Sequence, residues 1–393
     1  MVQSNKKIKI LFRMRSIEMG GVQKVILDVL KHLPKDKFDL TLMVNLYQGE
    51  LREQIPKDIK LIKICSGKED FGNIDFFIKF RLALRRIKLA VLEKFPSLLR
   101  VLYYKDNYAI EVASGRSELE QVLVSARKNT KKLAWVHWEF SHEPKVNKSD
   151  YIIQLLKKFD HIIFCSANVQ NQIKEIYQVK YPSTSVFHNV IHPKEIIEKA
   201  QQPVIDKPNF KDNLFTFSSI GRVKIAKGYP LLIEMHKKLI NDGYNHRVII
   251  LGDGSETENI QKKIKQYNVE NTFILLGNKN NPFPYIADSD AFILPTKTEA
   301  YPLSIKEALI LGLPVLATDV GGVSEIVDDG IDGILMQYDE NDIYEKMKKI
   351  ITDKDFYSQL KEGASKAKGK FETDRIYKKI QECLIQIAND SKS

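Results

Sequence analysis

A chain of 393 residues is too long for one ordinary hydrophobic core and predicts two domains of nearly equal size. Its 43% apolar and 28% charged residues are those of a globular protein, and no apolar run reaches the roughly 18 residues of a membrane-spanning helix. The first residues enter a strand without the apolar core of a signal peptide, and Cys65, Cys165 and Cys383 are too dispersed for a disulfide framework or a zinc site; both features point to the cytoplasm.

Strand and helix then alternate. Ile8–Met14 reads as an apolar strand, and a loop holding Glu18, Gly20 and Gly21 leads into a helix over Val22–Leu33. Asp39–Asn45 and Ile59–Ile64 read as the next two strands. Residues 79–105 carry eight Lys or Arg against Glu93 alone, a net charge of +7, with Phe80, Leu84, Ile87, Val91 and Phe95 among the apolar residues between them. Such a stretch suits an anionic membrane surface, and suits equally a core-facing helix pair with a solvated basic face. No recognition motif accompanies the charge, which argues against nucleic acid. Strands follow at Tyr108–Ser114, Lys132–Trp138, His161–Ser166 and Ser183–Val190, with helices over Ser117–Lys128 and Ala167–Tyr177.

Pro193, Pro203 and Pro208 mark residues 193–212 as a linker containing a short helix, Lys194–Ala200. The first domain is expected over 1–192 and the second over 213–370, with 371–393 as a C-terminal helix packing back on the first. Within the second, Leu214–Ile220, Arg247–Leu251, Thr272–Leu276, Ala291–Pro295, Pro314–Ala317 and Gly333–Gln337 read as strands. Tyr229–Asn241, Glu256–Tyr267 and Asp342–Thr352 read as helices. Strands joined by helix-length segments imply parallel sheets covered on both faces. The expected fold class is α/β, two doubly wound Rossmann-like domains facing a central cleft, with ligands outside the carboxyl ends of the strands.

The stretch Ala291–Gly330 suggests the chemistry. Glu299 and Glu307, with seven residues between them, bracket a turn and the start of a helix opening near Ser304. A helix start presents unpaired N–H groups to phosphate oxygens, and acids beside it accept hydrogen bonds from sugar hydroxyls, so the pattern reads as a nucleotide-sugar site. Ser304-Ile305-Lys306-Glu307 also fits a capping box, which would give Glu307 a purely structural role. After the first strand of the second domain, Gly221 and Arg222, with Lys227 five residues beyond, place two cations where one diphosphate would lie. Gly252 closes the next strand, where it would admit a nucleotide or merely turn the chain. Gly20 and Gly21 allow close backbone approach at a helix start, but lack the spaced glycines of dinucleotide binders. His137, at a strand end, is placed to touch a sugar; with His142 and no third ligand it makes no zinc site. Asp288-Ser289-Asp290 reads as a turn before a strand rather than a metal-binding acid pair.

In these motifs the chain resembles the family 4 glycosyltransferases of GT-B architecture. The two glutamates stand as Glu299-AYPLSIK-Glu307, the phosphate loop as Gly221, Arg222, Lys227 and Gly228, the N-terminal loop as Gly20-Gly21-Val22, and the downstream pattern as PVLATDVGG. Ala300-Tyr301 replaces the Gly-Phe more usual after the first glutamate. The resemblance implies a retaining transferase that needs no metal or other cofactor, with a nucleotide-diphosphate sugar as donor. Arg222 and Lys227 would neutralise the diphosphate, Glu299 would bind the donor sugar and Glu307 the ribose. Backbone groups from Ala300 and Tyr301 to Leu303 and Ser304 would line the donor, with His137 and Gly21 beside it from the first domain. The implied acceptor is a growing bacterial surface glycan, such as capsule, O-antigen or lipopolysaccharide, on a lipid carrier. A GT-B sugar-nucleotide epimerase and a non-catalytic membrane-associated partner are the competing readings.

Overall fold

The computed structural model describes residues 7–71, 75–95, 97–103, 106–140, 146–177, 183–204 and 213–390. His142, residues 205–212 of the expected linker, and Pro96, Tyr104 and Lys105 of the basic stretch lie outside them. The chain forms two compact units. One comprises Met1–Cys165, Gln170–Val190 and Asp374–Ser393, the other Ser166–Val169 and Ile191–Thr373.

The chain begins with β1 (Ile8–Ser16), α1 (Gly21–His32), β2 (Phe38–Tyr47), β3 (Lys60–Ser66), α2 (Asp75–Lys94), α3 (Ser97–Leu102), β4 (Ile110–Ala113) and α4 (Arg116–Ser125). Next come β5 (Lys131–Val136), α5 (Val146–Leu156), β6 (His161–Phe164), α6 (Ala167–Tyr177), β7 (Thr184–Val186) and α7 (Pro193–Ala200). It continues with β8 (Phe215–Ile220), α8 (Tyr229–Asn241), β9 (His246–Leu251), α9 (Thr257–Tyr267), β10 (Phe273–Gly277), α10 (Phe283–Ala287), β11 (Ala291–Leu294) and α11 (Leu303–Ile310). The last elements are β12 (Val315–Thr318), β13 (Gly333–Met336), α12 (Glu340–Thr352), α13 (Lys354–Lys366) and α14 (Thr373–Asn389).

Both sheets are parallel. The first has the order β3-β2-β1-β4-β5-β6-β7, the second β10-β9-β8-β11-β12-β13. In each, the strand order reverses beside the first strand of the sheet, so the loops leaving β1 and β4, and those leaving β8 and β11, diverge to opposite faces. That divergence leaves a crevice at the carboxyl edge, the place where such sheets take ligands. The α/β, doubly wound reading is thereby observed in both units.

The first core explains why α14 belongs with this unit. Ile380, Leu384 and Ile387 fall on one helical face and join Ile26, Leu30, Phe12 and Trp135 in one buried cluster. Tyr377 fixes the register by donating its hydroxyl to the Asp28 carboxylate and stacking on His32 at 4.7 Å. The strand read from the sequence as apolar contains Arg13, which is fully buried. Its guanidinium donates to Ser125 Oγ at 2.6 Å and Gln121 Oε1 at 3.0 Å on α4, so hydrogen bonds compensate its desolvation.

The helices over Val146–Leu156, Phe283–Ala287 and Lys354–Lys366 are absent from the sequence reading. In α13 the charged surface and the interior Gly363 obscure the pattern. A Cβ at Gly363 would come within 1.9 Å of the Ile331 carbonyl oxygen, so the glycine allows the helix to pack close rather than breaking it. The basic stretch becomes α2, lying along the edge strand β3, where Lys88 Nζ donates to the Ile64 carbonyl at 2.7 Å. Leu92 and Leu99 are buried against Ile62, Ile64 and Met43, while Phe80, Leu84, Ile87 and Val91 remain exposed.

The second unit buries a histidine pair. His236 Nδ1 and His246 Nε2 share a proton at 2.8 Å, and the outer nitrogens reach Thr272 Oγ1 and the Tyr244 carbonyl. Burial pushes His236 down to about 2 and His246 down to about 4, so both imidazoles are neutral in the folded protein. Both folded pKa values lie below the unfolded value near 6.5, so the stability they contribute is complete above pH 6.5 and is lost as pH falls towards 4. The unfolding free energy, from denaturant titrations followed by near-ultraviolet circular dichroism between pH 8 and pH 4.5, is expected to fall below pH 6.5 by up to about 1.4 kcal/mol per pH unit for each imidazole. A flat profile between pH 6.5 and 5 would contradict buried neutral rings.

Candidate functional site

The crevice of the second sheet is built by the loops after β8 and β11. The first runs from Gly221 to Gly228, the second from Pro295 to the start of α11. They are laced together: Lys297 N donates to the Ala226 carbonyl at 2.8 Å, and Thr296 Oγ1 donates to the same oxygen at 2.9 Å. Lys227 then reaches across and its ammonium pairs with the Glu299 carboxylate. The side chains are 25% and 15% exposed, enough for a ligand to reach either group. The lysine stem passes over Gly221, where an added Cβ would lie 3.4 Å from Lys227 Cε and from Tyr229 Oη.

Three glycines make this proximity possible. Gly228 has φ +75, and a Cβ there would lie 1.6 Å from the Pro295 carbonyl oxygen. Gly321 has φ +54, and its Cβ would lie 1.5 Å from the Glu299 carbonyl oxygen. Gly252, at φ +142, brings the end of β9 against Gly221, whose carbonyl oxygen would sit 2.0 Å from a Cβ. Left-handed backbone and absent Cβ are both needed at these points.

Helix α11 starts at Leu303 with Pro302 in the capping position at φ −73 and ψ 119, and no side chain caps it. The expected capping box is therefore not formed: Ser304 is the second helical residue, too late to cap. The proline ring fixes the extended approach and starts the helix one residue earlier. The N–H groups of Leu303 and Ser304 are left without intrahelical partners, and the positive end of the helix faces the crevice side of the sheet. Glu307 is 8% exposed and pairs with no described cation or donor, so the cap that would have explained it away is gone.

Arg222 is exposed on the loop after β8, and Ala300 and Tyr301 are buried beside Glu299. The structure brings Gly221, Lys227, Gly252, Glu299, Ala300, Tyr301, Leu303 and Ser304 to one edge of the second sheet. Gly20, Gly21 and His137 lie on the first. Gly20 caps α1 with extended backbone and no side-chain hydrogen bond, and a Cβ at Gly21 would meet nothing within 4 Å. His137, just past β5, stacks on Trp135 at 5.7 Å. Both its ring nitrogens are shielded and lack a hydrogen bond of ordinary geometry, and burial pushes the imidazole down to about 3 against the opposing effect of the Asn189 side chain. It is neutral at physiological pH. A neutral ring offers one donor and one acceptor and suits a polar ligand group better than a charged one.

Asp290 accepts from Thr216 N at 2.8 Å and serves the sheet, as expected of a residue before a strand. Asp253 accepts from Gly254 N at 2.7 Å and from Thr257 Oγ1, which holds its carboxyl below the ordinary value.

Residues 201–367 match the family described as glycosyl transferases group 1. An uncharacterized glycosyltransferase of Methanocaldococcus jannaschii is 27% identical over 292 residues, 72% of this chain and 70% of that protein. The UDP-Gal:alpha-D-GlcNAc-diphosphoundecaprenol alpha-1,3-galactosyltransferase of Escherichia coli is 24% identical over 367 residues, 88% of each chain. Among solved structures, Anabaena HepE in complex with UDP and glucose superposes with a TM-score of 0.72 at 19% identity, covering 96% of this chain and 99% of that one. Residues 201–367 are thus similar to the glycosyl transferases group 1, and the chain has the GT-B fold.

Three residues beside these loops escaped the sequence reading. Tyr229 is fully buried under the loops, its hydroxyl 3.2 Å from Ser219 Oγ; burial, with Glu299 nearby, pushes its phenol up. Thr318 donates to the Thr296 carbonyl and so ties the end of β12 to the Glu299 loop. Lys306 is 2% exposed, with its ammonium 5.4 Å from the Tyr301 ring centre and 4.8 Å from that of Phe371; burial pushes it down to about 7. Polar residues at strand ends were the available signal for the threonines, whereas a lysine inside a motif gives no hint that it is buried.

The glycine geometry is testable by methyl addition. Gly330 has φ +73 and open space around it, so Gly330→Ala is expected to cost only the left-handed backbone penalty of about 1–2 kcal/mol. Gly321→Ala has the same penalty and also drives a methyl into the Glu299 carbonyl. Chemical denaturation should show a clearly larger loss for Gly321→Ala; equal losses would mean that the close approach is unimportant.

Proposed function

We propose that this glycosyltransferase moves a sugar from a nucleotide diphosphate to a lipid-linked glycan of the bacterial surface, with retention of anomeric configuration and without a metal. The observation that carries the donor assignment is the Lys227–Glu299 pair beside the uncapped start of α11 at the reversal point of the second sheet. A diphosphate there meets Lys227, the Arg222 guanidinium and the N–H groups of Leu303 and Ser304. Fixed positive charge of this kind stabilises the leaving nucleotide as negative charge develops, the role a divalent cation plays elsewhere. Freed from Lys227, Glu299 accepts hydrogen bonds from sugar hydroxyls, and Glu307 accepts from the ribose. The Gly20–Gly21 turn and neutral His137 of the first unit are candidate ligand contacts through likeness to the family alone. Retention and the surface-glycan acceptor rest on likeness to the family and on relatives such as the Escherichia coli enzyme named above.

The donor reading is tested with a panel of UDP-, GDP- and ADP-sugars, an undecaprenyl-diphosphate-linked saccharide and a nucleotide-release assay. One donor should support turnover that chelator leaves unchanged, with the product's anomeric proton reporting retention. Glu299→Ala and Lys227→Ala should each lose two orders of magnitude or more in kcat/KM, roughly the cost of removing one electrostatic contact to developing charge, while folding normally. Near-wild-type rates in both would refute the site, and interconversion of the sugar nucleotide without acceptor would favour an epimerase.

We also propose that α2 attaches the enzyme to the cytoplasmic face of an anionic membrane. No helix among the described residues is long and apolar enough to span one. Phe80, Leu84, Ile87 and Val91, spaced four, three and four, share one face of α2 and are 56%, 49%, 60% and 43% exposed. Arg81, Arg86 and Lys88 accompany that stripe, and among the described residues none pairs with a carboxylate. Sedimentation should show binding to phosphatidylserine-containing vesicles, release in high salt, and little binding to phosphatidylcholine. Equal partition into both, or into neither, would count against attachment.

A further inference from the structure

A pocket of about 250 Å³ opens between the carboxyl end of β3 and the middle of α2, lined by Ser66, Phe71, Arg81, Leu84, Arg85 and Lys88 among others. Drug-sized ligands occupy about 300 Å³ or more, so the space suits a small group. Its cations are held by neutral partners. Lys88 Nζ donates to the Ile64 carbonyl at 2.7 Å, and Arg85 Nη1 donates to Gln48 Oε1 at 2.8 Å and to the Ser66 carbonyl at 3.4 Å. The Arg81 and Arg85 guanidiniums lie 5.9 and 5.8 Å from the Phe71 ring centre. The acids of the adjoining turn are engaged elsewhere, Asp70 with Arg52 at 2.8 Å and Glu69 with Arg52 at 3.9 Å. Among the described residues, no carboxylate pairs with Arg81, Arg85 or Lys88.

Hydrogen bonds to carbonyls orient a cation without cancelling its charge. Two cations so oriented, Arg85 and Lys88, with Arg81 over the Phe71 ring beside them, form an anion site of the kind guanidinium forks and ammonium groups make for phosphate. The second half of the ligand is indicated by Leu84, which lines the pocket and also belongs to the exposed stripe with Phe80, Ile87 and Val91. A ligand seated here has its anionic group among the cations and its apolar part along α2.

We propose that this pocket binds the phosphate of a membrane-lipid headgroup. The proposal rests on the membrane attachment of α2 and adds a specific site to it, so a headgroup whose phosphate is a free monoester should be preferred over one of equal charge whose phosphate is a buried diester.

The test measures binding of the full chain to vesicles containing phosphatidic acid and to phosphatidylserine vesicles adjusted to the same zeta potential. Wild-type protein should bind the phosphatidic acid vesicles more tightly, by about ten-fold or more, the scale of one charge-assisted hydrogen bond to the monoester. Arg81→Gln with Arg85→Gln should remove that preference while retaining salt-sensitive binding to phosphatidylserine, and Ile87→Asp should weaken binding to both. Far-ultraviolet circular dichroism and a melting curve establish that the variants fold; if the double variant does not, Arg81→Gln alone, which removes no hydrogen bond to β3, takes its place. Equal wild-type affinity for the two vesicles, or a preference that survives the arginine changes, overturns the pocket and leaves attachment standing. Absence of binding to every vesicle overturns both. Stabilisation by inorganic phosphate without preference for phosphatidic acid assigns the pocket to a soluble phosphate and overturns the lipid assignment.

Discussion

The pairing of Lys227 with Glu299 is the constraint around which the second unit is arranged. An ammonium and a carboxylate drawn largely out of water are costly unless each has a partner. Without ligand they supply one another. In the proposed donor complex each would have a better-matched partner of its own: phosphate oxygens for the lysine, sugar hydroxyls for the glutamate. Binding of that kind would exchange one set of charged contacts for another, so less of the interaction would be lost to stripping water from isolated charges. It would also couple the two ends of the donor, because Glu299 would be released as Lys227 turns to the diphosphate.

Holding the pair requires two loops from non-consecutive strands to meet. The strand order makes this available, since β8 and β11 are neighbours whose connections run to opposite faces. Proximity then depends on the backbone. Gly228 lies under Pro295, Gly321 under Glu299, and Gly252 against Gly221, each at a positive φ with a carbonyl where a side chain would be. Thr296 and Thr318 satisfy the carbonyls exposed at the strand ends. The glycines and threonines contribute no charge, yet they determine where the charges stand.

Much of this was legible in the sequence because it follows from local periodicity. Helix α8 occupies Tyr229–Asn241 as its pattern predicts, and the buried strands β8, β9, β11 and β12 fall within a residue or two of their apolar runs. What escaped was decided by contacts distant in the chain. Spacing alone allowed Ser304 to cap α11; the preceding Pro302 moved the start and removed the capping role of Glu307. Helix α13 was not read at all, and the missing side chain of Gly363 within it is what lets Ile331 approach. The burial of Arg13 and Lys306 had no place in the sequence reading: one is held by hydrogen bonds to α4 and the other lies between aromatic rings. Neither environment has a signature within a few residues of the charge.

The basic stretch shows the same division between pattern and context. Composition gave its charge and amphipathicity but left two readings, and the helix satisfies part of each. Leu92 and Leu99 are buried against β3 and its neighbours, anchoring the segment, while the face carrying Phe80, Ile87 and Val91 is left bare. A helix wholly in the core would neutralise its arginines with acids or turn them to water. Here Arg85 and Lys88 are instead fastened to the free carbonyls of an edge strand, which blunts that edge against pairing with other chains. The same bonds fix the cations in place without neutralising them, so covering the edge and presenting positive charge beside an apolar stripe are consequences of one packing arrangement.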